Sequence, residues 1–430
     1  MQMAARKVTI KTMSKMKIIA DEAIPYLKGI FENECEVEYY PGSEITPQRV
    51  KDADALIVRT RTKCNAQLLE GSKVKVIASA TIGTDHIDRA WCQSHNIALF
   101  NAPGCNSGGV LQYFLTALFK CLSTRELWQK FLNSAPDATG AESSAAGAAA
   151  GAADGAAAGS VAGVDGTAEG AAAATAAGDS ASESAPFTVG VIGVGNVGSK
   201  VAAACEGLGF EVLRNDPPKE RQQTLAYNSG YLRLVDFKDY YSLDYLLENS
   251  DVVTLHVPLD ETTRRMADAN FFARMKPGAI FINSSRGEVV DEAALLANLH
   301  KLAAVVLDVW VGEPNINKEL LQSAFIATPH IAGYSAEGKI KGTQMVVEAI
   351  RRYMRDNGLT TGAPAAAGTC TIPEEQPIPV DFRGKNIDEI SQMLERIFPI
   401  QELSDALKAN PHTFEEMRNN YNYRHELEIL

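Results

Sequence analysis

The chain lacks the features that mark several common classes of protein. Its 430 residues contain only seven cysteines, an odd number with no CxxC pair, which argues against a disulfide framework or a metal site and predicts reduced thiols in the cytoplasm. No apolar run approaches the ~18–20 residues that a membrane-spanning helix needs. An excess of positive charge is also missing, since 53 acidic residues outnumber 41 basic ones and the formal net charge is −12. We therefore expect neither nucleic acid nor a membrane as partner, although local arginines could still hold an anionic substrate.

Two stretches have little that could form a core. Residues 1–15 are basic without an apolar segment, which predicts a disordered N-terminal extension rather than a secretory signal. A true start at Met16 and an organelle-targeting peptide are the alternatives. Residues 136–185 contain seven acids but no aromatic residue, lysine or arginine among repeated alanine and glycine. Because glycine breaks alanine helices and nothing here can be buried, we predict a disordered insertion.

The rest of the chain alternates short apolar runs with amphipathic stretches, a pattern typical of parallel sheets with crossover helices. We predict an α/β chain with two doubly wound, Rossmann-like domains. The predicted strands are Lys17–Ala20, Ala55–Val58, Val76–Ser79, Ala98–Phe100, Thr188–Ile192, Glu211–Arg214, Val252–His256, Ala279–Asn283, Ala304–Asp308 and Ile326–Ala327. The predicted helices are Glu22–Glu32, Ala66–Leu69, Gly109–Cys121, Glu337–Met354 and Ile387–Ile397.

A glycine-rich turn follows the first strand of the second alternating block. Gly193, Gly195 and Gly198 form the GxGxxG pattern, with Asn196 and Val197 between them. The first glycine permits a tight turn, the second lets the backbone approach a pyrophosphate, and the third lets the helix pack on the strand. The positive end of that helix suits the pyrophosphate. We predict that these five residues bind a dinucleotide.

Two further positions belong to the predicted cofactor cleft. Asp216 ends the next strand, close to the offset expected for an acid that bonds the ribose 2′-hydroxyl. An acid there would repel a 2′-phosphate, so NAD is favoured over NADP; a helix-capping role before Pro217 is the alternative reading. His256 follows another strand and is interpreted as a wall of the cofactor cleft rather than as the base, and Val257 beside it is predicted to bind the cofactor.

Three residues of catalytic type each follow an apolar strand. Arg286, Glu313 and His330 would all lie at the carboxyl edge of the sheet, where ligands of parallel sheets bind. Arginine suits a substrate carboxylate because its planar fork makes two bonds. Histidine suits the hydroxyl proton because its unperturbed pKa is ~6.5, and a carboxylate on the far ring nitrogen would orient it. Taken singly, each could be a surface ion pair, a turn acid or a loop histidine.

At these residues the sequence resembles the D-isomer-specific 2-hydroxy acid dehydrogenase family. The stretches that carry the resemblance are ATIGTDHID (80–88), NAPGCNSGGV (101–110), VGVIGVGNVG, LDVWVGEPNINKELL and TPHIAGYSAEGKIKGT. The resemblance implies that His330 is the proton donor and acceptor, with Arg286 and Glu313 as active-site residues. It also implies cofactor contacts at Asp308 and Gly333. The substrate contacts that it implies are Thr60, Thr81 and Tyr334.

The resemblance also implies a domain plan. Residues 16–107 with 331–355 would form a discontinuous, flavodoxin-like substrate-binding domain, and residues 108–330 an NAD-binding Rossmann domain that carries the insertion. Residues 356–379 would be a linker, and 380–430 a small α+β region that makes a homodimer. Gly108 and Gly109 depart from the family pattern, and we place them in the loop before the long helix.

The implied reaction is NAD-dependent oxidation of 4-phosphoerythronate to 2-oxo-3-hydroxy-4-phosphobutanoate, a step in the synthesis of pyridoxal 5′-phosphate. Arg59 and Arg61 follow a strand of the first block, and we expect at least one of them to bind the phosphate. Two alternatives remain open. One is another 2-hydroxy acid dehydrogenase that acts on phosphoglycerate, hydroxypyruvate or glyoxylate, and the other is a non-enzymatic module that senses NADH.

Overall fold

The computed structural model describes residues 15–124, 186–229, 238–359 and 373–430. The predicted insertion, 136–185, and all but the last residue of the predicted N-terminal extension lie outside these ranges. In the described part of the chain, no helix combines the length and apolarity that a membrane crossing requires.

The first sheet has five parallel strands in the order β2-β1-β3-β4-β5. Alternate residues of a strand face opposite sides, so Ile18 and Ala20 enter one core while Ile19 enters the other. The strands are β1 (Lys17–Asp21), β2 (Glu36–Tyr40), β3 (Ala55–Val58), β4 (Val76–Ser79) and β5 (Ala98–Phe100). The short helices are α1 (Pro47–Val50), α2 (Ala66–Leu69) and α3 (Arg89–Ser94).

The predicted helix Glu22–Glu32 is wrong. Turns and bends fill this segment before β2, a strand that the sequence analysis missed. Pro25 interrupts the helical hydrogen bonds, and Gly29 adopts a φ of +88°, which a right-handed helix excludes. The segment imitates a helix because its buried apolar residues have nearly helical spacing. Those residues are Ile24, Leu27 and Phe31.

The second sheet has six parallel strands in the order β11-β10-β9-β8-β6-β7. Its strands are β6 (Thr188–Ile192), β7 (Glu211–Asn215), β8 (Val252–Leu255), β9 (Ile280–Asn283), β10 (Ala304–Leu307) and β11 (Ile326–Ala327). Its helices are α5 (Gly198–Gly207), α6 (Pro217–Asn228), α7 (Leu243–Asn249), α8 (Ala269–Arg274), α9 (Glu292–Asn298) and α10 (Lys318–Ser323). The chain reverses direction across the sheet between β6 and β8, which creates a switch point where parallel sheets bind ligands. The two doubly wound sheets confirm the predicted fold class, and each predicted strand agrees to within one residue at each end.

Two long helices connect the sheets, namely α4 (Ser107–Leu122) and α11 (Ala336–Asp356). Helix α11 returns the chain to the first sheet, where Val346 and Ile350 are buried in its core. Gly108 and Gly109 lie in the first turn of α4. The expectation that they form a loop before the helix was therefore wrong.

The C-terminal region packs on the second sheet. It contains β12 (Ile378–Val380), α12 (Ile387–Ile397), α13 (Ile400–Ala409), α14 (Phe414–Asn419) and β13 (Leu427–Ile429), and its two strands pair in parallel. Ile390 and Leu394 of α12 join the same core as α4. Ser404 of α13 accepts a hydrogen bond from the backbone N–H of Ala327, at 2.9 Å. The region is thus attached directly to β11, the strand that precedes His330.

Candidate active site

The glycine turn after β6 has the space that a dinucleotide requires. Gly193 has a φ of +84°, and a Cβ there would lie 2.6 Å from the carbonyl oxygen of His256. A Cβ on Gly198 would overlap the carbonyl oxygen of Gly193, so the helix and the strand need this glycine for close approach. By contrast, a Cβ on Gly195 would meet no described atom within 4 Å. The open side of the turn lies where backbone N–H groups would face a pyrophosphate.

Asp216 both caps a helix and braces this turn. Its Oδ1 accepts from the backbone N–H of Lys219 at 3.0 Å, and its Oδ2 accepts from that of Val194 at 2.8 Å. Asp216 therefore does cap the helix, which was the alternative role considered for it from the sequence. A carboxylate has about four acceptor positions, so these two bonds leave room for a ribose hydroxyl. Val257 contacts the turn from β8, because a Cβ on Gly193 would lie 2.8 Å from its Cγ1.

His330 and Glu313 form a hydrogen-bonded pair at the carboxyl edge of the second sheet. The Nδ1 of His330 lies 2.8 Å from Oε2 and 3.1 Å from Oε1 of Glu313. Burial alone would raise the pKa of Glu313, but the bond and charge of His330, with the charge of Arg418, hold it below its usual value. A charged carboxylate on Nδ1 leaves Nε2 as the nitrogen that can exchange a proton with a ligand.

Asp308 holds the loop that carries His330. Its Oδ1 accepts from the Thr328 hydroxyl at 2.7 Å and from the Ile331 N–H at 2.8 Å, while Oδ2 accepts from the Ala332 N–H at 2.9 Å. Its own carbonyl accepts from the N–H of His330, at 2.7 Å. Only 1% of Asp308 is exposed. The structure therefore gives Asp308 a positioning role, and its predicted contact with the nicotinamide carboxamide stays a prediction.

Arg286 reaches from the second sheet to the first domain's loop. Its Nε donates to Oδ2 of Asp85 at 3.1 Å, and its Nη1 donates to the carbonyl of Ser285 at 2.8 Å. Its guanidinium also lies against Gly83, where any Cβ would overlap it. Asp85 belongs to the ATIGTDHID stretch, but the sequence analysis gave it no role. The two bonds fix the guanidinium at the junction of the two sheets.

The predicted substrate residues lie in two groups. Thr81 shares this loop with Asp85, and its hydroxyl lies 2.7 Å from that of Ser79 and donates to the carbonyl of Gly83 at 3.1 Å. Tyr334 lies on the other side, where its hydroxyl accepts from Nε of Arg418 at 3.2 Å. Thr60 is exposed just after β3. No hydrogen bond joins Thr60 to either group within the described ranges.

Two cationic residues that the sequence did not indicate lie against Tyr334, and one of them also contacts Glu313. Arg418 comes from α14, and its Nη1 lies 3.6 Å from Oε2 of Glu313. Lys339 lies in the first turns of α11, and its ammonium is 4.2 Å from the ring centre of Tyr334. Burial lowers the pKa of Lys339 to about 7, with smaller contributions from the charges of Arg59 and Arg418. Lys339 stands within the quoted stretch TPHIAGYSAEGKIKGT, whereas no local motif marks Arg418.

Arg59 and Arg61 have different surroundings. Arg59 donates from Nη1 to the carbonyl of Ala23 at 2.5 Å and lies close enough to Lys339 to shift its pKa. Arg61 bonds to α14 through Glu415, at 2.9 Å, and through Asn419. Arg61 is therefore occupied in holding the first domain to the C-terminal region, which leaves Arg59 as the better candidate for an anion.

Gly333 packs tightly in the loop after His330. A Cβ on Gly333 would overlap the amide of Asn106, which precedes α4. Arg424 of the C-terminal region holds the same loop from its other side, and its guanidinium donates to several carbonyls. The acceptors are Gly109 at 2.8 Å, Ala332 at 2.6 Å, Tyr334 at 3.0 Å and Ile331 at 3.2 Å.

Comparison with known proteins defines the class first. Residues 165–332 match a family model described as "D-isomer specific 2-hydroxyacid dehydrogenase, NAD binding domain". With the glycine turn at the switch point and the imidazole–carboxylate pair at the same edge of the sheet, this makes the chain an NAD-dependent dehydrogenase. The matched range includes the glycine turn, Arg286, Glu313 and His330, and the NAD-binding description of the model confirms the predicted cofactor class.

Curated relatives then narrow the class. The erythronate-4-phosphate dehydrogenase of Bacteroides fragilis is 38% identical over 421 residues, which cover 96% of this chain and 97% of that protein. The erythronate-4-phosphate dehydrogenase of Escherichia coli is 33% identical over 430 residues, with 96% and 93% covered. The chain belongs to the erythronate-4-phosphate dehydrogenases, within the D-isomer-specific 2-hydroxyacid dehydrogenase family.

Solved structures agree on the fold. A D-lactate dehydrogenase from Aquifex aeolicus, complexed with NAD and lactic acid, has a TM-score of 0.56 at 23% identity and covers 81% of this chain and 100% of its own. An NAD-bound 3-phosphoglycerate dehydrogenase from Entamoeba histolytica has a TM-score of 0.54, also at 23% identity, and covers 81% of this chain and 99% of its own. At this identity the likeness shows the fold alone. About a fifth of the present chain has no counterpart in either protein.

Proposed function

We propose that the protein oxidises 4-phosphoerythronate at C2 to 2-oxo-3-hydroxy-4-phosphobutanoate, in the pathway to pyridoxal 5′-phosphate. The observation that carries the chemistry is the His330–Glu313 pair, 2.8 Å between Nδ1 and Oε2. The name shared by relatives that match 96% of the chain supports the choice of substrate.

The residues of the chain would act as follows. Arg286 binds the substrate carboxylate through the N–H groups that its bonds to Asp85 and Ser285 leave free. Nε2 of His330 accepts the proton of the C2 hydroxyl as the C–H hydride leaves, and the nearby carboxylate of Glu313 stabilises the imidazolium that forms. NAD, when bound, supplies the hydride acceptor. Because Asp308 fixes the loop at four points, the imidazole needs little reorganisation when it takes up the proton.

The cofactor contacts are proposals of the same kind. The turn of Gly193, Gly195 and Gly198, with Asn196 and Val197, would hold the pyrophosphate. Asp216 would hold the adenosine ribose, while Val257, Asp308 and Gly333 would border the nicotinamide end. The open space over Gly195 supports this assignment.

The domain plan is also proposed. Residues 16–107 with 331–355 would be the substrate-binding domain, since α11 packs on the first sheet, and residues 108–330 the NAD-binding domain. We propose a homodimer through residues 380–430, where Ile429 and Leu430 are exposed at 39% and 61%. A cytoplasmic location fits the six described cysteines, which are all free and buried. Sedimentation analysis that gives a monomer would remove the dimer.

The deciding experiment measures NADH formation by purified protein with NAD and a panel of acids. The panel contains 4-phosphoerythronate, 3-phosphoglycerate, glycerate and lactate, with a 2-oxo acid in parallel wells to release product retained on the enzyme. We expect the highest kcat/KM for 4-phosphoerythronate. A preference for another acid would keep the mechanism and replace the substrate. No turnover with intact NADH binding would favour a sensor of NADH.

A further inference from the structure

A cluster of cationic side chains adjoins Glu313 of the candidate site through Arg418 and Tyr334. Lys339 projects from α11 between two aromatic rings, at 4.2 Å from the centre of Tyr334 and 5.1 Å from that of Tyr423. Arg418 of α14 contacts the same Tyr334, donating from Nε to its hydroxyl at 3.2 Å, and the charge of Arg59, just after β3, acts on both Lys339 and Tyr423. Three separate parts of the chain therefore bring positive charge to one half-buried position.

Among the described residues, no carboxylate forms an ion pair with Lys339 or Arg59; only Arg418 has one, in Glu313 at 3.6 Å. The groups that shift the pKa of Lys339 are its burial, Arg59, Arg418 and the thiol of Cys105, and only the thiol favours the charged form. Burial, together with the charges of the two arginines, lowers the pKa of Lys339 to about 7. Desolvating a lysine next to two guanidinium groups is unfavourable unless an anion joins them. A half-buried lysine that lies over two aromatic rings and has no carboxylate partner in the described part of the chain is a candidate anion-binding residue.

Unlike Lys339, other cations in this part of the molecule have carboxylate partners. Arg61 is paired with Glu415 at 2.9 Å, and Lys341, two residues beyond Lys339 on the same helix, is paired with Glu375 at 2.7 Å. Arg418 is partly satisfied by Glu313, at 3.6 Å. Lys339 and Arg59 therefore keep most of their capacity to bind an anion.

We propose that Lys339 is the principal phosphate-binding residue of the substrate site, with Arg59 and Tyr423 beside it. This inference deepens the proposed function and rests on it. The cluster adjoins the catalytic pair through Arg418, which contacts both Glu313 and Tyr334. A carboxylate on Arg286 and a phosphate on Lys339 would hold the two ends of an acid whose C2 lies at His330. The C-terminal region, through Tyr423 and Arg418, then takes part in selecting the substrate.

The test compares Lys339→Met with Lys341→Met as a matched control on the same helix. Charge-assisted hydrogen bonds contribute about 10- to 150-fold in binding, so we expect Lys339→Met to raise KM for 4-phosphoerythronate by about that factor. The Kd for NADH and the KM for erythronate, which lacks the phosphate, should not change. Lys341→Met should behave as the wild type does. An equal rise in KM for both substrates would overturn the proposal, because it would show general disturbance of the site.

A second measurement separates this proposal from the proposed function. Inorganic phosphate should bind to the wild type in the presence of NADH and bind at least about 10-fold more weakly to Lys339→Met. If the wild type prefers an acid without phosphate, the proposed function fails, yet this loss of phosphate binding would still support an anion site at Lys339. Equal phosphate affinity in the two proteins would overturn the site itself.

Discussion

The second sheet and the C-terminal region contribute to one site in different ways. In the sheet, the glycine turn, Arg286 and His330 each follow a strand directly, so their position follows from the topology. The C-terminal region supplies Arg418, 3.6 Å from Glu313, and Arg424, bonded to the loop after His330, yet neither residue stands in a recognisable motif. The sheet carries the shared chemistry of hydride transfer, and the later region adds support and selection around it.

We expect the largest effect from a substitution that removes the proposed proton acceptor and leaves the contacts of the C-terminal region intact. His330→Ala removes the group proposed to accept the hydroxyl proton, so turnover should fall by about 10²- to 10⁴-fold. NADH affinity should stay unchanged, because the glycine turn and Asp216 are untouched. Stopped-flow turnover and NADH fluorescence titration measure the two effects. Loss of NADH binding in the same variant would move His330 out of the catalytic role.

The next largest effect is expected from removing Arg424, which holds the loop after His330 in place. Arg424 is 7% exposed, and its removal takes one donor from each of the carbonyls of Gly109, Ile331, Ala332 and Tyr334; the carbonyl of Ile331 keeps the N–H of Tyr334 as a donor, at 2.8 Å. Each unsatisfied buried acceptor costs about 1–3 kcal/mol, but such costs do not add fully, so we expect Arg424→Met to lower the free energy of unfolding by about 3–5 kcal/mol. Urea denaturation measures this change.

Arg383 is the matched control for Arg424. It lies in the same region, but its side chain is 76% exposed and pairs with Asp381 on the surface. Exposed pairs contribute little, so Arg383→Met should leave stability nearly unchanged. Equal losses in the two variants would mean that the bonds of Arg424 to the His330 loop are not what stabilises it.

A smaller effect is expected from a substitution at the proposed cofactor site in the second sheet. Asp216→Ser keeps a side chain that can cap α6 but removes the carboxylate proposed to hold the ribose. Because hydrogen bonds to charged groups contribute about 1.5–3 kcal/mol, NAD should bind about 10- to 150-fold more weakly, and discrimination against NADP should relax. Kd values for both cofactors, measured by titration, decide the matter; an unchanged ratio would assign Asp216 to capping alone.

The same division explains what could be predicted from the sequence. Most strands, and the positions of Arg286, Glu313 and His330 at strand ends, were predictable because hydrophobic runs and the residues just after them are local signals. The helix at 22–32 was predicted from the helical spacing of its apolar residues. It does not form because Pro25 and Gly29 prevent the helical backbone. Lys339 and Arg418 carried no signal of their own, since their meaning lies in contacts between distant segments. Their shared neighbour Tyr334 was found only through the family resemblance.

Gly108 shows how such a long-range contact leaves a trace in the sequence. It lies in the first turn of α4, where glycine is a poor helix former, and a Cβ there would overlap the carboxylate of Glu426. That carboxylate is held in place, because it accepts from the N–H of Gly109 at 3.0 Å and from the hydroxyl of Ser335 at 2.7 Å. The absence of a side chain at position 108 therefore leaves room for the carboxylate that stands just before β13, more than 300 residues later in the chain.

The smallest effect follows from this contact. Gly108→Ala should destabilise the protein by about 1–3 kcal/mol, as overpacking of a fixed neighbour does. Gly207→Ala is the control, since no described atom lies within 4 Å of its Cβ position at the end of α5; it should be neutral or stabilise the protein by about 0.4–1 kcal/mol. Opposite signs in urea denaturation would show that one glycine serves the C-terminal contact and the other does not. A stable Gly108→Ala would mean that Glu426 moves aside easily, and the C-terminal region would then be more loosely attached to the active site than its bonds indicate.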